Sequence, residues 1–303
     1  MITTYSVNLG NTSIGVPVFR SSELLIKPRI LITAGLDGDE YASIDAAYHL
    51  ISNLSKQKLN GSVVIIPIVN IPGFNILKSY NPLDNKYPKL VFPGNPKGTS
   101  TEQLIRWLDR EYVSKADVWI DLHGGGLTEH LNPYMYVYET GIKEIDNSIH
   151  KIVRYAPLSK AVCRKKGAWD KTSILAKRGI PYYFIEAGSS GQRTSSAVKI
   201  HLETIQTILI HYGLIFGKLK TKEKKIYSKT SEYRTKQSGL WYPNFKKNGI
   251  VRKGDYLGTV RSLDQKILGT VIAGEMGEWL WYLEGLRCNT GDYLCEVAHG
   301  EIK

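Results

Sequence analysis

The stretch Ala116-Asp-Val-Trp-Ile-Asp-Leu-His-Gly-Gly-Gly126 organises the reading of this chain. Ala116 to Leu122 is a β-rich run of strand length, and it ends in a carboxylate, a histidine and three glycines. Side chains alternate between the two faces of a strand, so Asp121 and His123 point to the same side. In open α/β sheets, ligands gather just beyond strand ends of this kind. Moving outward, Arg29-Ile-Leu-Ile-Thr33, Ser62-Val-Val-Ile-Ile-Pro-Ile-Val69, Pro133-Tyr-Met-Tyr-Val-Tyr138 and Pro181-Tyr-Tyr-Phe-Ile185 read as further strands. Two helical patterns lie between them and a third follows the last. Asp39 to Leu54 carries Ala42, Ala46, Ala47, Leu50, Ile51 and Leu54 at helical spacing. Thr99 to Tyr112 has Thr99 or Ser100 as N-cap and Leu104, Ile105 and Leu108 facing inward. Ala197 to Tyr212 repeats the pattern through Ile200, Ile205, Ile208 and Leu209. Strands alternating with helices predict an α/β domain with a largely parallel sheet flanked by helices.

The texture changes after about Ser228, where glycine and short β-runs replace helical spacing. Val251-Arg-Lys-Gly-Asp-Tyr-Leu-Gly-Thr-Val260 is echoed by Cys288-Asn-Thr-Gly-Asp-Tyr-Leu-Cys-Glu-Val297. Each Gly-Asp-Tyr-Leu predicts a turn leading into a strand, with the glycine taking a positive φ. The expected organisation is an α/β domain over residues 1–217, a basic connector over 218–228 and a small all-β domain over 229–303.

Composition excludes several classes. With 303 residues, 42% hydrophobic and 22% charged, the chain can build a sizeable core and is not globally disordered. Apolar runs such as Val63 to Ile66 fall far short of the ~18 residues a membrane helix needs. The N-terminus shows no basic stretch followed by an apolar segment, and three cysteines are too few for a disulfide scaffold. A cytoplasmic protein without a membrane partner is expected. Lys+Arg of 40 against Asp+Glu of 28 leaves +12, a charge that can attract nucleic acid. Part of it sits in Lys218-Leu-Lys-Thr-Lys-Glu-Lys-Lys225, which lacks interleaved aromatics and reads as a solvated connector. No nucleic-acid partner is expected.

Three places carry chemistry. In Ala34-Gly-Leu-Asp-Gly-Asp-Glu40, Asp37 and Glu40 are three residues apart beside a predicted helix start. They can ligate a metal, or cap the helix and complement its dipole together with Asp39. His123 is placed to ligate a metal, with Asp121 behind it as an orienting partner. Glu186 closes an apolar strand in Ile180-Pro-Tyr-Tyr-Phe-Ile-Glu-Ala-Gly188. It reads as a solvated strand end or as a general base with a raised pKa. Together they form the inventory of a metal hydrolase: three ligands, room for water and a base.

The order Gly35-Leu-Asp37-Gly38-Asp-Glu40, Val91-Phe-Pro-Gly94, Asp121-Leu-His123 and Ile185-Glu186-Ala-Gly188 resembles the succinylglutamate desuccinylase/aspartoacylase family, of the zinc carboxypeptidase-like fold. The β region after Ser228 resembles that family's C-terminal domain, half of a biotinyl/lipoyl-type barrel. The resemblance implies one zinc per chain held by Asp37, Glu40 and His123, and Glu186 as the base that activates water and then protonates the leaving amine. It implies hydrolytic removal of an acyl group from an N-acylated amine or amino-acid derivative. Asp37 stands where the family usually has histidine, which also admits manganese or another oxygen-preferring divalent metal. The segment Lys78-Ser-Tyr-Asn-Pro-Leu-Asp-Asn-Lys-Tyr-Pro-Lys-Leu-Val-Phe-Pro-Gly94 lacks the family's arginines: Ser79 stands at the first, and Lys89-Leu90 at an Asn-Arg pair. Lys78, Lys86 or Lys89 can return one positive charge, but none is a planar fork for bidentate carboxylate binding. N-acetylaspartate and N-succinylglutamate are therefore not the expected substrates. Lys89, Lys78 and Tyr182 are the candidate substrate contacts, with Arg164, Arg178 and Tyr183 as further candidates and Arg193 behind Glu186. Two other readings stay open: a specialised zinc peptidase, and a non-catalytic small-molecule-binding protein on a decayed hydrolase scaffold. Assembly into a homo-oligomer is likewise open.

Overall fold

A computed structural model describes residues 1–164, 170–245 and 249–302. A hairpin of β1 (Ile2–Asn8) and β2 (Ser13–Arg20) opens the chain. It has no counterpart in the sequence reading, although β2 alternates Ile14, Val16 and Val18 towards the core; β1 is mostly exposed. Next come β3 (Arg29–Thr33), α1 (Tyr41–Leu54) and β4 (Ser62–Ile66), with β3 and β4 parallel. β4 stops at Ile66 rather than running to Val69, since Pro67 has no N–H for a sheet ladder. The short α2 (Ile71–Asn75) is capped by Asn70, whose Oδ1 accepts from the Gly73 N–H at 3.1 Å. α3 (Ser100–Glu111) leads to β5 (Val118–His123), parallel to β3. At its N-terminus the Glu102 carboxylate reaches back to accept from the Thr99 N–H at 2.8 Å.

After β6 (Glu129–Leu131) the chain runs through β7 (Tyr134–Tyr138), α4 (Lys143–Tyr155), β8 (Lys160–Arg164), α5 (Asp170–Lys177), β9 (Tyr182–Glu186) and α6 (Ser195–His211). β9 is parallel to β5, and β7 is antiparallel to β9 but parallel to β8. The sheet is thus parallel at its centre and mixed towards both edges, an α/β architecture as the alternation predicts.

Strand alternation divides the core in two. Ile30, Ile32, Val63, Ile65, Ile120, Leu122, Tyr183 and Ile185 face α1, α4 and α6, and pack on Ala47, Leu50, Ile152, Ile205 and Ile208. Leu31, Trp119, Tyr134, Tyr136, Tyr182 and Phe184 face the other way, against Leu104, Ile105 and Leu108 of α3 and Val16 and Val18 of β2. Asp121, His123 and Glu186 lie on this second face, further along the same strands.

The last third is β-rich: β10 (Lys225–Arg234), β11 (Gly239–Pro243), β12 (Ile250–Val251), β13 (Tyr256–Arg261), β14 (Ile267–Ile272), β15 (Gly277–Leu283), β16 (Arg287–Cys288) and β17 (Tyr293–Ile302). β10 begins inside the basic run, because Ile226 and Tyr227 extend the main sheet by pairing in parallel with β8. The large sheet continues through β17 and β15 to β12, while β14-β13-β11-β16 form a second, antiparallel sheet. Trp241, Val260, Cys288 and Leu294 fill the space between them. The internal echo is structural. Gly254 and Gly291 have φ of +86° and +89°, Asp255 and Asp292 accept from the N–H groups of Arg252 and Asn289, and Leu257 and Leu294 are buried. β6 pairs with β15, which ties the segment after the three glycines to the C-terminal region.

Candidate metal and catalytic site

The site is assembled where three strands end. β5 delivers His123, and its parallel neighbour β9 delivers Glu186 in register with it. The loop after β3 delivers Asp37 and Glu40. That loop is held tightly: a Cβ on Gly38 would lie 2.2 Å from the Phe74 nitrogen, so only glycine lets it pass α2 so closely. α1 starts at Tyr41, two residues after Asp39, where the sequence reading begins the helical stretch, and one before the first apolar position, Ala42. Glu40 occupies the N-cap position without a side-chain cap bond, and no acid lies in the first turn. The reading of Asp37 as the cap is therefore not realised, and the carboxylates of Asp37 and Glu40 both turn towards His123.

Asp37, Glu40 and His123 are buried, and one potential ligand atom from each lies within 4.8 Å of the others. His123 Nδ1 is 3.0 Å from Glu40 Oε2 and 3.6 Å from Asp37 Oδ2. On the far side of the ring, Nε2 lies 3.4 Å from Asp121 Oδ2, and the ring stacks on Phe184 at 4.2 Å between centroids. Asp121 is held in turn by the Thr33 hydroxyl at 2.6 Å and the Tyr182 hydroxyl at 2.6 Å. Trp119 Nε1 donates to Thr33 Oγ1 at 2.8 Å. The orienting role read for Asp121 from strand alternation thus has a geometric basis.

Charges around this centre are strongly coupled. Burial pushes the Asp37 carboxyl up, but the Lys89 ammonium and His123 outweigh it and hold it below the usual carboxylate range. Burial and the neighbouring Asp37 charge push Glu40 well above its ordinary value. Burial opposes protonation of His123, yet Glu40 and Asp121 raise its pKa well above normal. Glu186 is pushed up to about 8 by burial, with His123 and Lys89 opposing and Glu129 and Asp37 adding to the rise.

The residues present fit a divalent cation. Asp37 Oδ1, Glu40 Oε2, Glu186 Oε2 and both ring nitrogens of His123 are buried and make no well-aligned hydrogen bond among the described residues; the ring nitrogens face Glu40 and Asp121 at ion-pair distance only. Buried polar atoms left without partners are costly, and two carboxylates with an imidazole suit zinc or manganese.

Lys89 Nζ donates to Asp37 Oδ2 at 2.5 Å, with its side chain 29% exposed. Lys78 is exposed, and its carbonyl accepts from the Gly38 N–H at 3.2 Å. Tyr182 is buried beneath Asp121. The remaining candidates have other partners. Arg164 Nη2 donates to Glu296 at 2.9 Å, Arg178 pairs with Asp109, and Lys86 lies 3.3 Å from Glu102. Tyr183 meets Tyr212 on the opposite face of the sheet, and Arg193 lies 3.6 Å from Asp45.

Three groups at the site escaped the sequence reading. Asp39, read as a dipole complement, instead accepts from the Ser79 hydroxyl at 2.6 Å and the Leu127 N–H at 3.3 Å. It thereby joins the segment carrying Lys89 to the glycine loop. Glu129 accepts from the Gly126 N–H at 3.1 Å; burial pushes its carboxyl up, against the pull of Lys89. Lys171 of α5 is buried with Nζ 3.8 Å from Asp121 Oδ2. Glu129 had a signal in its closeness to the three glycines, whereas nothing local marks Lys171.

Comparison with known proteins agrees with this architecture. Residues 26–212 match the model of the succinylglutamate desuccinylase/aspartoacylase catalytic domain. A curated relative, the N-alpha-acetyl-L-2,4-diaminobutyric acid deacetylase of Halomonas elongata, is 29% identical over 203 residues. The match covers 66% of this chain and 59% of that relative's length. Among solved structures, a succinylglutamate desuccinylase/aspartoacylase from Rhodobacter sphaeroides superposes with a TM-score of 0.86 at 22% identity, covering 99% of this chain and 94% of its own. The product-bound ectoine utilization protein EutE (DoeB) from Ruegeria pomeroyi gives 0.87 at 22%, covering 98% and 94%. With the motifs of the first two thirds in place and the fold shared along nearly the whole length, the chain belongs to the succinylglutamate desuccinylase/aspartoacylase family.

Proposed function

We propose that this protein is a metal-dependent hydrolase that removes the acyl group from a small N-acylated amine or amino-acid derivative. The observation that carries the reading is the buried cluster of Asp37, Glu40 and His123, whose ligand atoms face one another within 4.8 Å, beside Glu186, whose buried Oε2 has no hydrogen-bond partner among the described residues. Asp37, Glu40 and His123 hold one zinc, or manganese given the two carboxylates. When bound, such a cation supplies Lewis acidity towards an amide carbonyl and lowers the pKa of water. Glu186 takes a proton from the attacking water and returns it to the departing nitrogen, so that water and amide become carboxylate and amine. Phe184 and Asp121 fix the ring of His123.

Lys89 is the substrate contact that the geometry favours, because its ammonium is partly exposed beside Asp37. Lys78 acts from the rim. Tyr182 contributes from below through Asp121. The deacetylase relative supports a monoacylated diamino acid as the first compound to try. Residues 1–217 carry the chemistry, the connector ends where β10 joins the main sheet at Lys225, and the β region that follows shapes the approach to the site through the pairing of β15 with β6. The protein acts in the cytoplasm on small molecules rather than on nucleic acid. The test is release of free carboxylate and amine from a panel of N-acylated amino compounds by zinc-loaded protein. If no member of the panel is hydrolysed by protein containing one metal per chain, the deacylase reading fails and the decayed-scaffold reading replaces it.

A further inference from the structure

Two lysines flank the proposed metal centre, one on each side of the histidine. Lys89 donates to Asp37 from the open side. Lys171 approaches from beneath, with its side chain only 4% exposed. Its Nζ donates to the Tyr182 hydroxyl at 3.2 Å, lies 3.8 Å from Asp121 Oδ2 and sits 5.2 Å from the ring centroids of Trp119 and Tyr182. A lysine buried this deeply is uncommon unless paired, because taking an ammonium out of water is costly. Asp121 in turn lies 3.4 Å from His123 Nε2, so the cation acts on the ligand histidine through a single carboxylate.

The consequence follows from charge. A carboxylate behind a ligand histidine stabilises positive charge on the ring and makes it a stronger donor, and Asp121 does so here by its charge at 3.4 Å rather than through an aligned hydrogen bond. A cation on that carboxylate withdraws part of the effect. Once ionised, as metal ligation requires, Asp37 and Glu40 join Asp121 in bringing three negative charges to the centre, and the ammonium groups of Lys89 and Lys171 return two.

We propose that Lys171 is a positioning residue that acts through Asp121 on His123, restraining the donor strength of the histidine and so weakening metal binding in exchange for greater Lewis acidity. This inference rests on Asp37, Glu40 and His123 being the metal site. A unit charge several Å away at an effective dielectric near 20 is worth about tenfold or more in affinity, and a buried site loses little of that to screening.

The test measures zinc affinity by competition with a chromophoric chelator, in the full chain, for wild type and for Lys171→Met, Lys171→Gln and Lys171→Arg. Lys171→Gln keeps a donor for Tyr182 without the charge, and carries the test if Lys171→Met fails to fold. Loss of the charge is expected to tighten zinc binding about tenfold or more, whereas Lys171→Arg stays within about threefold of wild type. In an Asp121→Asn background the effect of Lys171→Gln is expected to shrink to less than about threefold. A lysine that merely supported the fold would give the opposite sign, since loosening a site weakens its metal. Unchanged or weaker zinc binding in folded Lys171→Gln overturns the inference alone. A wild-type chain that takes up no stoichiometric zinc overturns the metal site, and this inference with it.

Discussion

Replacing Glu186 by glutamine separates what the residue does for stability from what it does for turnover. The carboxyl is buried, and its pKa is about 8 against an ordinary 4.5. In that state the folded protein binds a proton that the unfolded chain has already released. Stability therefore falls as pH rises from the unfolded value to the folded one, and the full cost is present above about pH 8. A difference of roughly 3.5 in pKa corresponds to about 5 kcal/mol, at 1.36 kcal/mol for each unit. Allowing for the charged neighbours His123, Lys89 and Glu129, whose own protonation adjusts, the effect is on the order of 3 kcal/mol. Glutamine never ionises, so metal-free Glu186→Gln should exceed metal-free wild type by that amount at pH 8.5 and match it near pH 4.5. Urea unfolding in the presence of a chelator, followed at both values, measures the difference. The same variant, loaded with metal, should lose turnover by roughly 10²- to 10⁴-fold, the usual worth of a general base. If the stability difference between variant and wild type is the same at both pH values, Glu186 does not ionise in a buried site. If turnover is unaffected, it is not the base.

Three further outcomes are expected. Asp37→Ala and His123→Ala should each lower metal content from about one per chain to near zero by elemental analysis, because each removes one of the three ligands proposed for it; full metal content in either variant would place the site elsewhere. Lys89→Met should raise KM for an acylated amino acid about tenfold or more with a smaller change in kcat, as loss of one charge-assisted contact does; an unchanged KM would remove Lys89 from the substrate. Leu108→Ala, which opens a cavity between α3 and the site-bearing face of the sheet, should cost about 2–5 kcal/mol in urea unfolding while leaving metal content near one per chain; parallel loss of metal would mean that this core positions the ligands.

Much of the fold was legible because its signals are local. The apolar runs of β3, β5 and β9 and the helical spacings of α1, α3 and α6 are properties of neighbouring residues, and they emerge within a few positions of where the spacing puts them. The hairpin of β1 and β2 went unread although β2 alternates Ile14, Val16 and Val18 towards the core, a local signal of the same kind; only the largely exposed β1 owes its definition mainly to pairing. α4 carries Ile149, Ile152 and Val153 at helical spacing, so its signal was present and went unread.

The sequence by itself offered the candidate groups and their order, Asp37 and Glu40 after one strand and His123 and Glu186 at the ends of two others, and their roles as ligands and base came from the family resemblance. Tertiary structure decided what those groups do. It set the start of α1 at Tyr41, which frees Asp37 and Glu40 from capping. It placed β5 beside β9, so that His123 meets Glu186 across 63 positions of chain. It also brought Lys89 to Asp37 and Lys171 to Asp121, pairs separated by about fifty residues. Charge interactions at a few Å depend on where the backbone brings groups together in a dry interior, and their strength there has no trace in the spacing of residues along the chain.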